Sequence, residues 1–328
     1  MEMFKKTAVL IFFITLLLGA IVPEIAVSQE GYPVRPIKIV VAVGPGSAAD
    51  VLARILGEFL RQELKAEVIV DYKSGAAGVV GGDFLAKSKP DGYVLGVFQS
   101  SILTTAVAIS PSIPYDPIKD FTHLANAGIN SIALVVNENS QWKSLPQFLS
   151  HAKTNPGKVS CGIIGIGSHS HFNLELLKTA ADVQFNSIPF KAGSGPAMTA
   201  LLGGHIDSAS LIWPAVAEQV KAKKFRALAI TGPIKGFSEV PTFAQLGFPK
   251  VNLEVFFGIY GPAKLPKHVI ARLVSALEKG MKDPVIAEKL EKMGFTIAYE
   301  GPEELAERIK KELVVVRDVA TRASIRLE

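Results

Sequence analysis

Residues 37–56 read IKIVVAVGPGSAADVLARIL. Ile37 to Val43 is rich in β-branched residues, the pattern of a strand buried on both faces. Gly44-Pro45-Gly46-Ser47 breaks the run. Val51, Leu52, Ile55, Leu56, Phe59 and Leu60 then recur at helical spacing. Ser47, with Asp50 three residues on, predicts a serine–aspartate capping box. The unit is therefore strand, glycine loop, helix. It recurs at 67–86, EVIVDYKSGAAGVVGGDFLA, and at 158–177, KVSCGIIGIGSHSHFNLELL. Such a loop aims backbone N–H groups and the positive end of a helix dipole at one point, which suits an anion. Phe190-Lys191-Ala192-Gly193-Ser194-Gly195-Pro196 makes a fourth junction of this kind, where Lys191 offers charge to a carboxylate.

Outward from these units, strands and helices alternate along most of the chain. Strands are predicted at 93–98, 132–136, 159–164, 185–190, 205–211, 226–231 and 256–260. Helices are predicted from Ser144, whose Ser-Leu-Pro-Gln start reads as a capping box with proline in the first turn, near 170, at 196–202 and from Pro214. Three more close the chain, from Lys267, Pro284 and Pro302, with a short strand at 296–299 before the last. This order predicts an α/β fold, sheets flanked by helices on both faces.

Lys5 and Lys6 precede an apolar run from Ala8 to Val22, and Ala26-Val27-Ser28 supplies small residues. The pattern predicts an export signal over 1–28, cleaved near Ser28, and hence a periplasmic protein. The charges within it cancel, so the remainder keeps the formal net charge of +5. No basic stripe interleaved with aromatics occurs, which excludes nucleic acid as a partner. Mild positive charge favours anionic solutes. The single cysteine, Cys161, lies inside an apolar strand pattern, so no intrachain disulfide forms.

The loops exclude several chemistries. None ends in the Lys-Ser/Thr of a nucleotide P-loop, and no complete G-x-G-x-x-G is present. No G-x-S-x-G nucleophile elbow occurs. His169 and His171, with Glu175, hint at a metal, but no third ligand follows at a defined spacing. Ser168 or Ser170 is better read as a helix cap. No metal or cofactor is expected. A serine hydrolase using Ser168 with His169 or His171 is the catalytic alternative.

Further stretches complete a pattern: Tyr32-Pro33-Val34-Arg35-Pro36, Lys89-Pro90-Asp91-Gly92-Tyr93, Pro114-Tyr115-Asp116-Pro117 with Asp120-Phe121, Leu201-Leu202-Gly203-Gly204-His205-Ile206-Asp207, Arg226-Ala227-Leu228-Ala229 and Val240-Pro241-Thr242-Phe243. In this order, from about Tyr32 to the C-terminus, the chain resembles the Bug family of extracytoplasmic solute-binding proteins, the receptors of tripartite tricarboxylate transporters. The resemblance implies a type II periplasmic-binding-protein fold of two α/β lobes, 30–131 plus 255–328 and 132–254. It implies a monomer that binds a small organic carboxylate between its lobes and hands it to membrane permease subunits. A ligand sensor on the same fold is the other reading. Carried over residue by residue, the ligand would meet Gly46, Ser47, Ala76, Ala77, Gly78, Ser100 and Ser101 from the first lobe, and Gly167, Ser168 and Lys191 from the second. This chain departs from the family pattern in its loops. Ala76-Ala77 replaces glycine, Ile163, Ile164 and Ile166 stand where polar residues are usual, and Leu211-Ile212-Trp213 stands where acidic or amide side chains are common. These changes point to a monocarboxylate or short dicarboxylate with an apolar portion, and away from citrate.

Overall fold

The computed structural model describes residues 31–190 and 193–326. The predicted export signal lies outside them. Arg35–Glu328 form one compact unit, which is described here. The unit begins β1 (Ile37–Val41), α1 (Ala48–Leu64), β2 (Val68–Tyr72), α2 (Val79–Ala86), β3 (Val94–Gln99), α3 (Thr105–Ile109) and β4 (Phe121–Asn130). It continues β5 (Ile132–Asn137), α4 (Leu145–Thr154), β6 (Ser160–Ile163), α5 (His169–Ala181), β7 (Asn186–Pro189), α6 (Ser194–Leu202), β8 (Ser208–Ile212), α7 (Trp213–Lys221) and β9 (Phe225–Ile230). It closes with β10 (Val255–Pro262), α8 (Lys267–Lys282), α9 (Pro284–Lys292) and α10 (Pro302–Arg322).

These strands make two mixed sheets, ordered β2-β1-β3-β10-β4 and β7-β6-β8-β5-β9. In the first, β1 runs parallel to β2 and β3, while β10 is antiparallel to β3 and β4. In the second, β6 is parallel to β7 and β8, while β5 is antiparallel to β8 and β9. Parallel βαβ units place their loops at the carboxyl ends of the strands, where ligands of open α/β sheets bind. The fold class read from the sequence is the one observed, a mixed sheet with flanking helices in each lobe.

Ser131 alone separates β4 from β5 and carries the chain from one sheet to the other; Glu254 stands just before β10 on the return. The two crossings are bonded, with Ser131 Oγ donating to Glu254 Oε1 at 2.8 Å. Burial pushes the Glu254 carboxyl above its ordinary value, and the Ser131 bond only partly offsets this.

The first sheet packs Val40, Phe98, Phe256 and Tyr260 against Leu305, Ile309 and Leu313 of α10. Farther along the same helix, Val316, Val319 and Ala320 join Leu134, Cys161 and Phe172 in the second sheet's core. Helix α10 thus belongs to both cores, although the expected division gave all of 255–328 to the first lobe. Full burial of a large apolar side chain contributes roughly 1.5–3 kcal/mol, so neither half of this helix is dispensable.

Three local expectations change. Strand β4 is not evident in the sequence, because His123, Asn126 and Asn130 interrupt its apolar pattern; all are buried in the structure. Residues 296–299 form no strand, only single bridges from Thr296 to Ile129 and from Glu300 to Asn126. Ser144 caps nothing with its side chain; instead Gln147 Oε1 accepts the Lys143 N–H at 2.8 Å.

Candidate functional site

The first and third glycine loops are built alike. Ser47 caps α1, its Oγ accepting the Asp50 N–H at 3.2 Å, and Asp50 Oδ2 accepts the Gly46 N–H at 2.8 Å. Ser168 caps α5, its Oγ accepting the His171 N–H at 3.2 Å, and His171 Nδ1 accepts the Gly167 N–H at 3.2 Å. In each case a side chain four residues on closes the loop over the glycine. Both glycine N–H groups expected to face a ligand therefore already have an acceptor from the first turn of the following helix.

Asp50 also accepts from the Tyr72 hydroxyl at 2.7 Å and from Arg54 Nε at 2.9 Å. Burial works against its ionisation. The Tyr72, Gly46 and Arg54 bonds outweigh that and hold the carboxyl below its ordinary value. Likewise burial opposes ionisation of Glu175, but His171 and Lys178, the latter at 2.7 Å, keep its carboxyl low.

The second loop is held in a different way. Gly75, Ala76, Ala77 and Gly78 all have positive φ, at 142°, 45°, 54° and 98°. For alanine the left-handed region costs roughly 1–2 kcal/mol per residue. Two adjacent alanines there are strain of the kind concentrated at ligand clamps. A Cβ at Gly78 would sit 2.7 Å from Ile102, which fixes glycine at that position.

A cavity of about 320 Å³ opens between the two sets of loops. Ala77 and Ser101 line it from the first sheet's side, and Gly167 and Ser168 from the second's. Gly46, Ser47, Ala76 and Gly78 are not on its wall. Ser100 is fully buried beside it, and Lys191 lies outside the described residues. Gln99, Thr105 and His169 add polar groups, while Val43, Ile109, Ile164, Ile166, Ile212 and Val255 supply an apolar wall. Among the described lining residues none is Lys, Arg, Asp or Glu, and His169 is the one ionisable side chain. Ile164, Ile166 and Ile212 were legible from the family departures, whereas Ile163 of that set is buried off the wall and Ile109 was not foreseen. Gln99 and Thr105 were not, because only the fold brings a strand end and a short helix to the same opening.

His169 is 2% exposed. Its Nε2 lies 3.1 Å from Ser100 Oγ and 2.9 Å from Glu312 Oε1. Ser, His and acid are thus gathered, but not as a relay. A triad needs the acid on the ring nitrogen opposite the serine, and here both groups meet the same nitrogen. Ser168 Oγ instead donates to the Gly165 carbonyl at 2.7 Å. Neither serine has the bonding of an activated nucleophile. Cys161 is fully buried, with its thiol pushed up to about 11 by burial, so it is a core residue.

The family model described as "Tripartite tricarboxylate transporter family receptor" matches residues 52–320. Protein BugT of Bordetella pertussis is 33% identical over 303 residues, spanning 90% of this chain and 93% of its own. A TctC solute-binding protein from Polaromonas, solved without ligand, superposes with a TM-score of 0.79 at 26% identity, over 89% of this chain and 99% of that one. An R. palustris protein solved with adipate gives 0.76 at 25% identity, over 90% and 99%.

Proposed function

The chain belongs to the tripartite tricarboxylate transporter receptor family, TctC, and from that membership we propose that it is exported, captures a small carboxylate between its lobes, and delivers it as a monomer to the permease subunits of such a transporter. The reading assigns 30–131 plus 255–328 to one lobe and 132–254 to the other, and it needs no covalent chemistry. Lobe closure and selection of the closed state by the ligand are sufficient.

The observation that carries the reading is the cavity itself. At about 320 Å³ it is at the small end of ligand sites. Its polar side chains are Gln99, Ser101, Thr105 and His169, with the capping Ser168 and the N-terminus of α5 at one side. Its remaining wall is apolar. That combination suits one carboxylate held by neutral donors and a helix end, with an aliphatic or aromatic body against the isoleucines. A tricarboxylate would leave charge against Ile164, Ile166 and Ile212, which is costly. The proposed ligand is therefore a monocarboxylate or short dicarboxylate with an apolar portion.

The test is a thermal-shift panel of adipate, malate, benzoate and citrate. Acids with an apolar body should raise Tm, because a ligand at 100 times its Kd adds roughly 2.7 kcal/mol. Stabilisation by citrate alone would overturn the ligand class. No stabilisation by any carboxylate would overturn the reading.

A further inference from the structure

The contact between His169 and Glu312 joins elements that are far apart in sequence and belong to different sheets. His169 opens α5, whose N-terminus faces the cavity, and Glu312 stands on α10, in the stretch packed with the first sheet. Ser100, at the carboxyl end of β3, is the third member, and Thr104 Oγ1 lies 2.6 Å from Glu312 Oε1 as the fourth. Ser100, Thr104, His169 and Glu312 are all buried. A carboxyl oxygen and an imidazole nitrogen 2.9 Å apart share one hydrogen, so Glu312 Oε1 and His169 Nε2 are hydrogen-bonded. A buried acid is tolerated only when it is well bonded, and Glu312 has both the imidazole and a hydroxyl.

An exposed polar bridge between the flanks of the two sheets is Lys235–Glu291 at 2.9 Å. Its lysine is 84% exposed, and an exposed pair of that kind is screened and weak. The buried His169–Glu312 bond is directional, and it adds to the Ser131–Glu254 bond at the crossings and to the packing of α10 on both cores. It also sits where geometry matters, since His169 follows the capping Ser168 directly and lines the cavity.

We propose that the His169–Glu312 bond is an interlobe clasp that fixes the N-terminus of α5 against the first lobe and thereby sets carboxylate affinity. The proposal rests on the carboxylate-binding reading for its second half only. His169 acts as a positioning residue. The clasp keeps the Ser168 cap and the α5 amides at the distance from Ser101 and Thr105 that a single small acid spans.

The test compares wild type with Glu312→Gln, His169→Gln, the double variant and Lys235→Ala. Two readouts are used: the radius of gyration by small-angle scattering without any carboxylate, and adipate affinity by calorimetry. Each clasp variant should scatter with a larger radius than wild type and bind adipate about tenfold or more weakly, with the double variant no worse than either single. Lys235→Ala should change neither. An unchanged radius in both single variants overturns the clasp, whether or not affinity falls, because His169 would then be only a contact. A larger radius with unchanged adipate affinity overturns the claim that the clasp sets affinity. If wild type binds no carboxylate, the functional reading fails together with that second half, and the scattering still decides the clasp. If Glu312→Gln does not fold, His169→Gln, which removes the other partner of the bond, decides alone by the same outcomes.

Discussion

At the scale of single residues, Asp50 and Ala77 bear most of the site's local cost. Asp50 is 4% exposed, and three donors hold its carboxylate. Charge-assisted bonds contribute roughly 1.5–3 kcal/mol each, so Asp50→Asn should lower unfolding free energy by about 2–3 kcal/mol at pH 7. Its folded-state pKa lies below the ordinary one. The stabilisation is therefore complete above the ordinary carboxylate range, near about 3.9, and is lost as pH falls through that range and below. Urea unfolding at pH 7 and pH 3 should show the variant's deficit shrinking in acid; an equal deficit at both pH values would contradict the assignment. Ala77 has φ 54°, a conformation glycine adopts without strain. Ala77→Gly should raise stability by about 0.5–1 kcal/mol, and a lower Tm would refute the strain. The serine caps were readable from their spacing. The capping box turns the Asp50 carboxylate back onto the Ser47 N–H, whereas the structure puts it one residue earlier, on Gly46, and the matching turn of His171 onto Gly167 has no such spacing rule to announce it.

At the scale of elements, the two crossings act together through Ser131 and Glu254. Burial raises the Glu254 pKa in the folded state. The folded protein then binds the proton more readily than the unfolded chain, so stability falls as pH rises from the ordinary glutamate value, about 4.3, to the raised one. Above that window the buried charge is a constant cost. Glu254→Gln should flatten this limb and raise Tm at pH 8 relative to wild type, in thermal unfolding from pH 4 to 8. A steeper limb, or a fall in Tm at pH 8, would show that the charge is needed. Most elements were legible because their apolar spacing is regular. Strand β4 was hidden because its polar residues are satisfied from elsewhere: Asn126 Nδ2 donates to the Ala298 carbonyl at 2.9 Å, and His123 Nε2 meets the Pro117 carbonyl at 3.0 Å. Alternation rules assume that buried positions are apolar, and here long-range hydrogen bonds take that role.

At the scale of the whole compact unit, helix-flanked sheets followed from the alternation of strands and helices and their division in two from the family resemblance, while the path of the last helix followed from neither. Helix α10 has one apolar stripe, and the sequence cannot say that its two ends meet different cores. Val316 is fully buried in the second sheet's core. Val316→Ala should cost about 2 kcal/mol, from lost transfer energy plus cavity. Hydrogen exchange should quicken in α4 and α5, in the other lobe, as much as in α10 itself. Quickening confined to α10 would mean that the helix is a passenger on the second core. The candidate site is the least legible part for the same reason, since Ser100, His169 and Glu312 become neighbours only when both sheets are in place.

Strand β10 bears on the order of synthesis. It lies between β3 and β4 in the first sheet, yet it follows the whole of the second lobe in sequence. A chain made from its N-terminus onward has β3 and β4 long before it has the strand that must sit between them. The first-made lobe therefore waits, with a gap in its sheet, while the second-made lobe has all of its own strands first. The second sheet thus has all of its strands in sequence before the first sheet has all of its own, and the edges of β3 and β4 that β10 pairs stay open until it is made. Such edges are where a partly made chain is open to wrong pairing, so the interval between β4 and β10 is the point at which this topology most needs protection.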